Sequence, residues 1–196
     1  MKKPQLVLDA AGVIVTNLSP SFWQEEVAAA ANIPYEDVKA LFKKEMRLRL
    51  WNGEVSLDDF WSWLFNHFPV LDQVHMKTCM DRHLVALPAL ELIPQWSALA
   101  DIHILSNHRA EWLTPLLEPV ANNLKSVTIS SEAGCCKPES RIYHLVRNHF
   151  EDTTAKIIYV DDQEKNLVEP KRMGWHTIIA DEDGRWISEV GKLLNE

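Results

Sequence analysis

The chain has 196 residues, 46% of them hydrophobic, with 20 basic against 28 acidic side chains and a formal net charge of −8. That length fits one domain, or one domain carrying an inserted subdomain, and the apolar content suffices for a packed core. The acidic balance argues against a polyanion-binding surface, since nucleic acid recognition needs clustered Lys and Arg to replace phosphate counterions, and no apolar run approaches the roughly 20 residues of a membrane span.

The Met1-Lys2-Lys3-Pro4 start leads straight into a strand instead of a signal peptide, which predicts a cytoplasmic protein. Residues 5–8 are an apolar run ending at Asp9, with Ala11-Gly12 as a turn signal. Helical patterns then cover 20–31, 35–50, 56–67 and 71–85, separated by Asn32-Ile33-Pro34, Asn52-Gly53 and Pro69. Ser56 followed by Asp58 and Asp59 reads as a helix N-cap with acidic residues in the first turn. After Pro88 the pattern alternates: a helix near 89–99, a strand at 102–105, a helix near 109–117 and a strand near 126–129. A helix opening at Pro138, a strand at 156–160, a helix near 163–173 and a strand at 176–179 complete it. Alternating strands and helices predict an α/β fold, a parallel sheet with helices on both faces, interrupted by an all-helical insertion after its first strand. Three cysteines, Cys79, Cys135 and Cys136, are odd in number and lack metal-type spacing, so reduced thiols are expected.

In open parallel sheets, ligands bind beyond the carboxyl ends of the strands, where loops and helix N-termini converge. The polar residues just after the apolar runs are Asp9, then Ser106 and Asn107, then Lys137, then Asp161 and Asp162. A carboxylate so placed can attack phosphorus or an alkyl carbon and form a covalent ester, or simply cap a turn. Ser106 can hold phosphoryl oxygens or serve as an ordinary helix N-cap. Lys137 precedes a proline, which restricts its backbone, and either projects its ammonium toward the strand ends or sits in solvent. Two adjacent carboxylates at the end of a buried strand are costly unless a cation lies near them, and magnesium suits an oxygen-rich site that keeps waters and substrate phosphate.

In order and spacing these positions resemble the four motifs of the haloacid dehalogenase (HAD) superfamily. Asp9-Ala10-Ala11-Gly12-Val13 is similar to its nucleophile loop and Leu105-Ser106-Asn107 to its second motif. Lys137-Pro138-Glu139 with Ile142-Tyr143 is similar to the third, and Val160-Asp161-Asp162 with Asn166 to the fourth. The resemblance implies a Rossmann-like core of residues 1–15 and 87–196 with a helical cap over 16–86. Trp51-Asn52-Gly53-Glu54-Val55-Ser56 and Phe60-Trp61 resemble a cap segment of small sugar-phosphate phosphatases and of the epoxide hydrolase N-terminal phosphatase domain. It implies magnesium on the Asp9 side chain, the Ala11 carbonyl and Asp162, with Asp161 supporting. Asp9 would be the nucleophile, and Ser106 and Lys137 would hold the phosphoryl group of a small phosphorylated metabolite.

One departure stands out: most phosphatases of the superfamily carry an aspartate two residues after the nucleophile as general acid and base, and this chain has Ala11. A positioned acid or base contributes about 10² to 10⁴ in rate, against up to about 10²¹ in total for phosphate monoester hydrolysis, so its loss slows turnover without abolishing it. Ala11 leaves open a non-catalytic phosphate-binding protein, and a phosphonatase or dehalogenase type of hydrolase. The acidic pair disfavours the metal-free dehalogenase, and a phosphonatase needs an imine-forming cap lysine, with Lys39, Lys43, Lys44 and Lys77 available. Asn107, Arg47 and Trp51 are candidate substrate contacts, Arg47 through a second anionic group, although Arg47 and Arg49 cannot share one helical face. His103 and His108 show no metal-ligand spacing. A monomer or weak homodimer is expected.

Overall fold

A computed structural model describes residues 3–18, 21–152 and 154–195. Five parallel strands form one sheet: β1 (Gln5–Leu8), β2 (Asp101–Ser106), β3 (Leu124–Ile129), β4 (Ile157–Asp161) and β5 (His176–Ile179), in the spatial order β3-β2-β1-β4-β5. All four residues of β1 are buried, because helices cover both faces of the sheet. The side chains alternate between two apolar layers. Leu6 and Leu8 pack with Ile102, Ile104, Ile158 and Val160 on one face, while Val7 packs with Leu105, Tyr159 and Tyr143 on the other.

The chain runs outward from β1 to β3 on one side and returns to β4 and β5 on the other, so the order reverses between β1 and β4. Register pairs Leu8 with Val160, which sets the residues after them, Asp9 and Asp161, side by side at that reversal point.

The helical insertion packs around its own apolar cluster, from Leu18 and Phe22 through Phe42, Phe60 and Leu64 to Leu84. Ser56 caps the helix Leu57–His67 with a full capping box: its hydroxyl accepts from the Asp59 amide while the Asp59 carboxylate accepts from the Ser56 amide. The two strands of chain that join insertion and sheet run together, with the Thr16 amide donating to the Val85 carbonyl and the Leu87 amide to the Ile14 carbonyl, at 2.9 and 2.8 Å.

Several elements differ from the sequence expectations. The pattern over 35–50 is two helices, Tyr35–Glu45 and Arg47–Trp51, because Met46 leaves helical geometry at φ −124°. The segment over 20–31 winds as a π-helix over Phe22–Ala28 before Ala29–Ala31 becomes α-helical; Pro20, where it was expected to open, lies outside the described residues, as do Met1 and Lys2. Pro138 lies in a turn and the helix starts at Ser140. A final helix, Arg185–Leu194, buries Trp186, Val190 and Leu194 at four-residue spacing, a segment for which no element was assigned. Among the described residues no helix is long and apolar enough to cross a membrane.

Candidate active site

Asp9 follows β1 directly and is 3% exposed. Its Oδ1 accepts from the Ala10 amide at 2.7 Å and lies 2.8 Å from the Lys137 ammonium. Lys137, itself buried, also donates to Asp161 Oδ2 at 2.6 Å, so one ammonium sits between two carboxylates. Burial pushes the Asp9 carboxyl up, to about 8; Lys137 pulls it down while Asp161 and Asp162 add repulsion. Burial opposes the charge on Lys137, but Asp9 and Asp161 outweigh it and hold the ammonium above its ordinary value.

Asp161 has no spare capacity. Besides Lys137 it accepts from the Tyr159 hydroxyl at 2.5 Å, the Gln163 amide at 2.9 Å and the Asn166 side chain at 2.9 Å. Burial alone would raise its pKa; Lys137, Tyr159 and Asn166 together lower it. Asp162 differs: its carboxylate faces the cavity, held among the described residues by Asn17 at 3.1 Å and Gln163 at 3.3 Å. The oxygens of Asp9, Asp161 and Asp162 lie within 4.8 Å of one another. Gly12 makes that approach possible: it has φ +79°, and a Cβ there would sit 2.5 Å from Asp162 Oδ2. The residues fit a magnesium ion, with Asp9 and Asp162 turned toward open space and Asp161 saturated behind them.

A cavity of about 470 Å³ opens above these groups, between the sheet and the helical insertion. Asp9, Ala11, Lys137, Asp162 and Asn107 form its sheet side, and Arg47 and Trp51 reach it from the insertion. Arg49 is not on its wall, in keeping with the helical phase. Of the candidate lysines, Lys39 and Lys43 line the cavity and Lys44 and Lys77 do not. The lining carries five cationic residues, Lys39, Lys43, Arg47, Lys137 and Lys165, against two carboxylates, Asp9 and Asp162. Among the described residues, Lys43, Arg47 and Lys165 have no carboxylate within ion-pairing distance.

Two predicted contacts are arranged differently. Ser106 is fully buried beneath the cavity wall, and its hydroxyl has no hydrogen-bond partner among the described residues. Asn107 lines the cavity, but both ends of its amide are occupied by Lys137: Oδ1 accepts from the Lys137 amide at 2.7 Å and Nδ2 donates to the Lys137 carbonyl at 2.9 Å. Asn107 therefore positions the lysine while lining the cavity in which a substrate contact was expected.

Residues that sequence reasoning passed over lock the insertion onto the sheet. Buried Arg109 donates to the Val55 carbonyl at 2.9 Å and the Leu50 carbonyl at 3.4 Å while Glu111 holds its other face. Ser130 donates to the Trp51 carbonyl at 2.6 Å, and the Cys136 thiol to Asn52 Oδ1 at 2.8 Å. Gly53 meets the Ser131 carbonyl so closely that a Cβ would stand 2.0 Å from its oxygen. His108 also lines the cavity, buried against Trp51, with burial lowering its pKa. His103 is far from this chemistry, satisfied in the sheet by Ser126 and Gln5 at 2.7 and 2.9 Å.

No protein-family model matches the sequence, and no curated protein matches it. Solved structures do. A structure described as "a predicted HAD-like family hydrolase" from Porphyromonas gingivalis aligns over 100% of both chains with a TM-score of 0.76 and 18% identity. The chain has the fold of the HAD-like hydrolases. A HAD family enzyme from Bacteroides thetaiotaomicron, in complex with magnesium and inorganic phosphate, is similar over 91% of this chain and 94% of its own, at TM-score 0.73 and 16% identity. The L-2-haloacid dehalogenase from Xanthobacter autotrophicus is similar over 90% and 76%, at 0.61 and 19%. On this HAD fold, the four stretches that resemble the superfamily motifs all stand at the carboxyl end of the sheet.

Proposed function

We propose that this HAD-fold chain is a magnesium-dependent hydrolase that removes phosphate from small metabolites through an aspartyl-phosphate on Asp9. The observation that carries the reading is the Asp9 carboxylate, buried, ion-paired to Lys137 at 2.8 Å and grouped with Asp162 at the floor of the cavity. Residues 1–15 and 87–196 act as the catalytic core and 16–86 as its cap. Asp9, the Ala11 carbonyl and Asp162 would hold the magnesium, with Asp161 fixing Lys137 behind them. The ion supplies charge neutralisation for the phosphoryl oxygens. The Ser106 hydroxyl, without a hydrogen-bond partner among the described residues, would become a donor for those oxygens once the wall above it shifts, since an unmet buried polar group costs about 1–3 kcal/mol.

Lys137 pulls the Asp9 pKa down against a burial that favours the protonated, non-nucleophilic form, and a dication held by Asp9 and Asp162 would add to that pull. Ala11 offers no proton to the leaving group, so leaving groups that need protonation depart slowly. The surplus of cations on the cavity wall suits a substrate with a second anionic group beside Lys43 and Arg47, its body against Trp51.

A panel of mono- and bis-anionic phosphoesters assayed with magnesium and with chelator tests the reading. Hydrolysis should require metal, and Lys43→Ala with Arg47→Ala should raise KM for bis-anionic substrates alone. Metal-independent turnover would overturn the magnesium site. The second reading is carbon–halogen hydrolysis, favoured by Ala11 and by the likeness to the haloacid dehalogenase; halide release without metal would establish it.

A further inference from the structure

The cap holds a second cluster of metal-binding residue types, far from the acidic pair in sequence and different in chemistry. His75 and Cys79 stand one turn apart on the helix Gln73–His83, and Glu26 faces them from the π-helix Phe22–Ala28. One donor atom from each lies within 4.8 Å of the other two. His75 Nε2 is 2.8 Å from Glu26 Oε2, and His83 Nε2 holds the other carboxylate oxygen at 3.0 Å. Cys79 is fully buried and His75 is about half exposed, so the cluster has a dry thiol side and an open side.

We propose that Glu26, His75 and Cys79 form a site for a borderline-soft divalent cation of the zinc class, completed by water on the exposed side, with His83 orienting the Glu26 carboxylate. A tetrahedral ion with bonds of about 2.0–2.3 Å places its ligands about 3.3–3.8 Å apart, so donors already within 4.8 Å need only small side-chain adjustments. The donor set also sets the choice of ion. Imidazole with thiolate selects zinc or cobalt, whereas magnesium goes to the all-oxygen set around Asp9. Binding releases the Cys79 thiol proton to solvent, and the resulting thiolate with the Glu26 carboxylate balances the dication. Arg82, 3.6 Å from Glu26 and 65% exposed, can swing into water as the cation enters.

The site would staple the first helix of the cap to its last, beside the connections that tie cap to core: the Thr16 hydroxyl donates to the His83 carbonyl at 2.6 Å and the Ser21 hydroxyl pairs with His83 Nδ1 at 3.1 Å. Loading then stiffens the base of the cap and leaves the chemistry at Asp9 untouched.

Titrating metal-stripped full-length protein with cobalt(II) in excess magnesium tests this. The expected result is one equivalent bound, a thiolate-to-cobalt charge-transfer band, loss of that band in Cys79→Ser and in the solvent-facing His75→Ala, and a zinc-dependent rise in Tm. His83→Ala should weaken zinc binding about 10- to 100-fold, the usual effect of removing a group that orients a ligand. A Cys135→Ser/Cys136→Ser chain should keep the band. Absence of the band in the wild-type chain, which needs no variant to fold, or its persistence in Cys79→Ser, overturns the proposal.

Discussion

Lys137 is the residue on which the site's electrostatics turn, because it is the only cation between two buried carboxylates among the described residues. Breaking a buried charge network by removing one partner costs about 3–5 kcal/mol, as the remaining charge is left unpaired. Lys137→Ala should lose about that much stability by chemical denaturation and all measurable turnover; a variant as stable as wild type would show that Asp9 and Asp161 do not depend on it. Ala11 makes the opposite prediction. It lines the cavity beside Asp9, where an added carboxylic acid can protonate a leaving group. Ala11→Asp should raise kcat for poor leaving groups by about 10² to 10⁴, and no gain would mean that the proton comes from elsewhere. Asp9 and Asp162 were legible because each stands at the end of a short apolar run, whereas Lys137 lies beyond the helix Ser130–Ala133 that follows β3 and was marked by the proline after it. Two partners of the acidic pair were not legible: Tyr159, bonded to Asp161, reads as one more apolar strand residue, and Asn17 has no local pattern that points to Asp162. The cap cluster stayed hidden for a related reason. Cysteine spacing was compared only with other cysteines, while the companions of Cys79 are a histidine one turn away and a glutamate on another helix.

At the scale of elements, the contact between cap and core rests on the stretch 50–55, which offers backbone carbonyls to Arg109 and Ser130. Hydrogen bonds to a charged group contribute about 1.5–3 kcal/mol each. Arg109→Ala should therefore destabilise the chain by about that amount and raise KM, because Arg47 and Trp51 hang from the segment it anchors; an unchanged KM would show that the cap seats without it. The strands were read to within two residues at each end from their apolar runs. The helices were read less well. Met46 breaks a continuous apolar period through its backbone, which residue type does not reveal, and tertiary packing winds Phe22–Ala28 as a π-helix. His103 joins three strands by side chain, bonded to Gln5 of β1 and Ser126 of β3. Burial lowers its pKa from 6.5 to about 4. The folded state thus disfavours its proton: the stabilisation is complete above pH 6.5 and is lost as pH falls toward 4, by about 3 kcal/mol. Unfolding free energies measured across that window should diverge between wild type and His103→Gln, and parallel curves would contradict the assignment.

Across the whole molecule, a chain of net charge −8 still sets five cationic side chains against two carboxylates on the cavity at the carboxyl end of the sheet. Long-range attraction of an anion is weak for such a protein, so capture depends on groups close to it. The reversal of strand order between β1 and β4 puts Asp9 and Asp161 next to each other, and the cavity over them brings Asp9 and Asp162 together with the cationic wall. The proposed reaction makes the Asp9 carboxylate the nucleophile that takes the phosphoryl group. Acid-quenching the protein during turnover of a phosphomonoester with magnesium, then analysing its peptides by mass, tests that directly. The peptide carrying Asp9 should gain one phosphoryl group, and Asp9→Asn should gain none and lose turnover. Full turnover by Asp9→Asn would contradict the account.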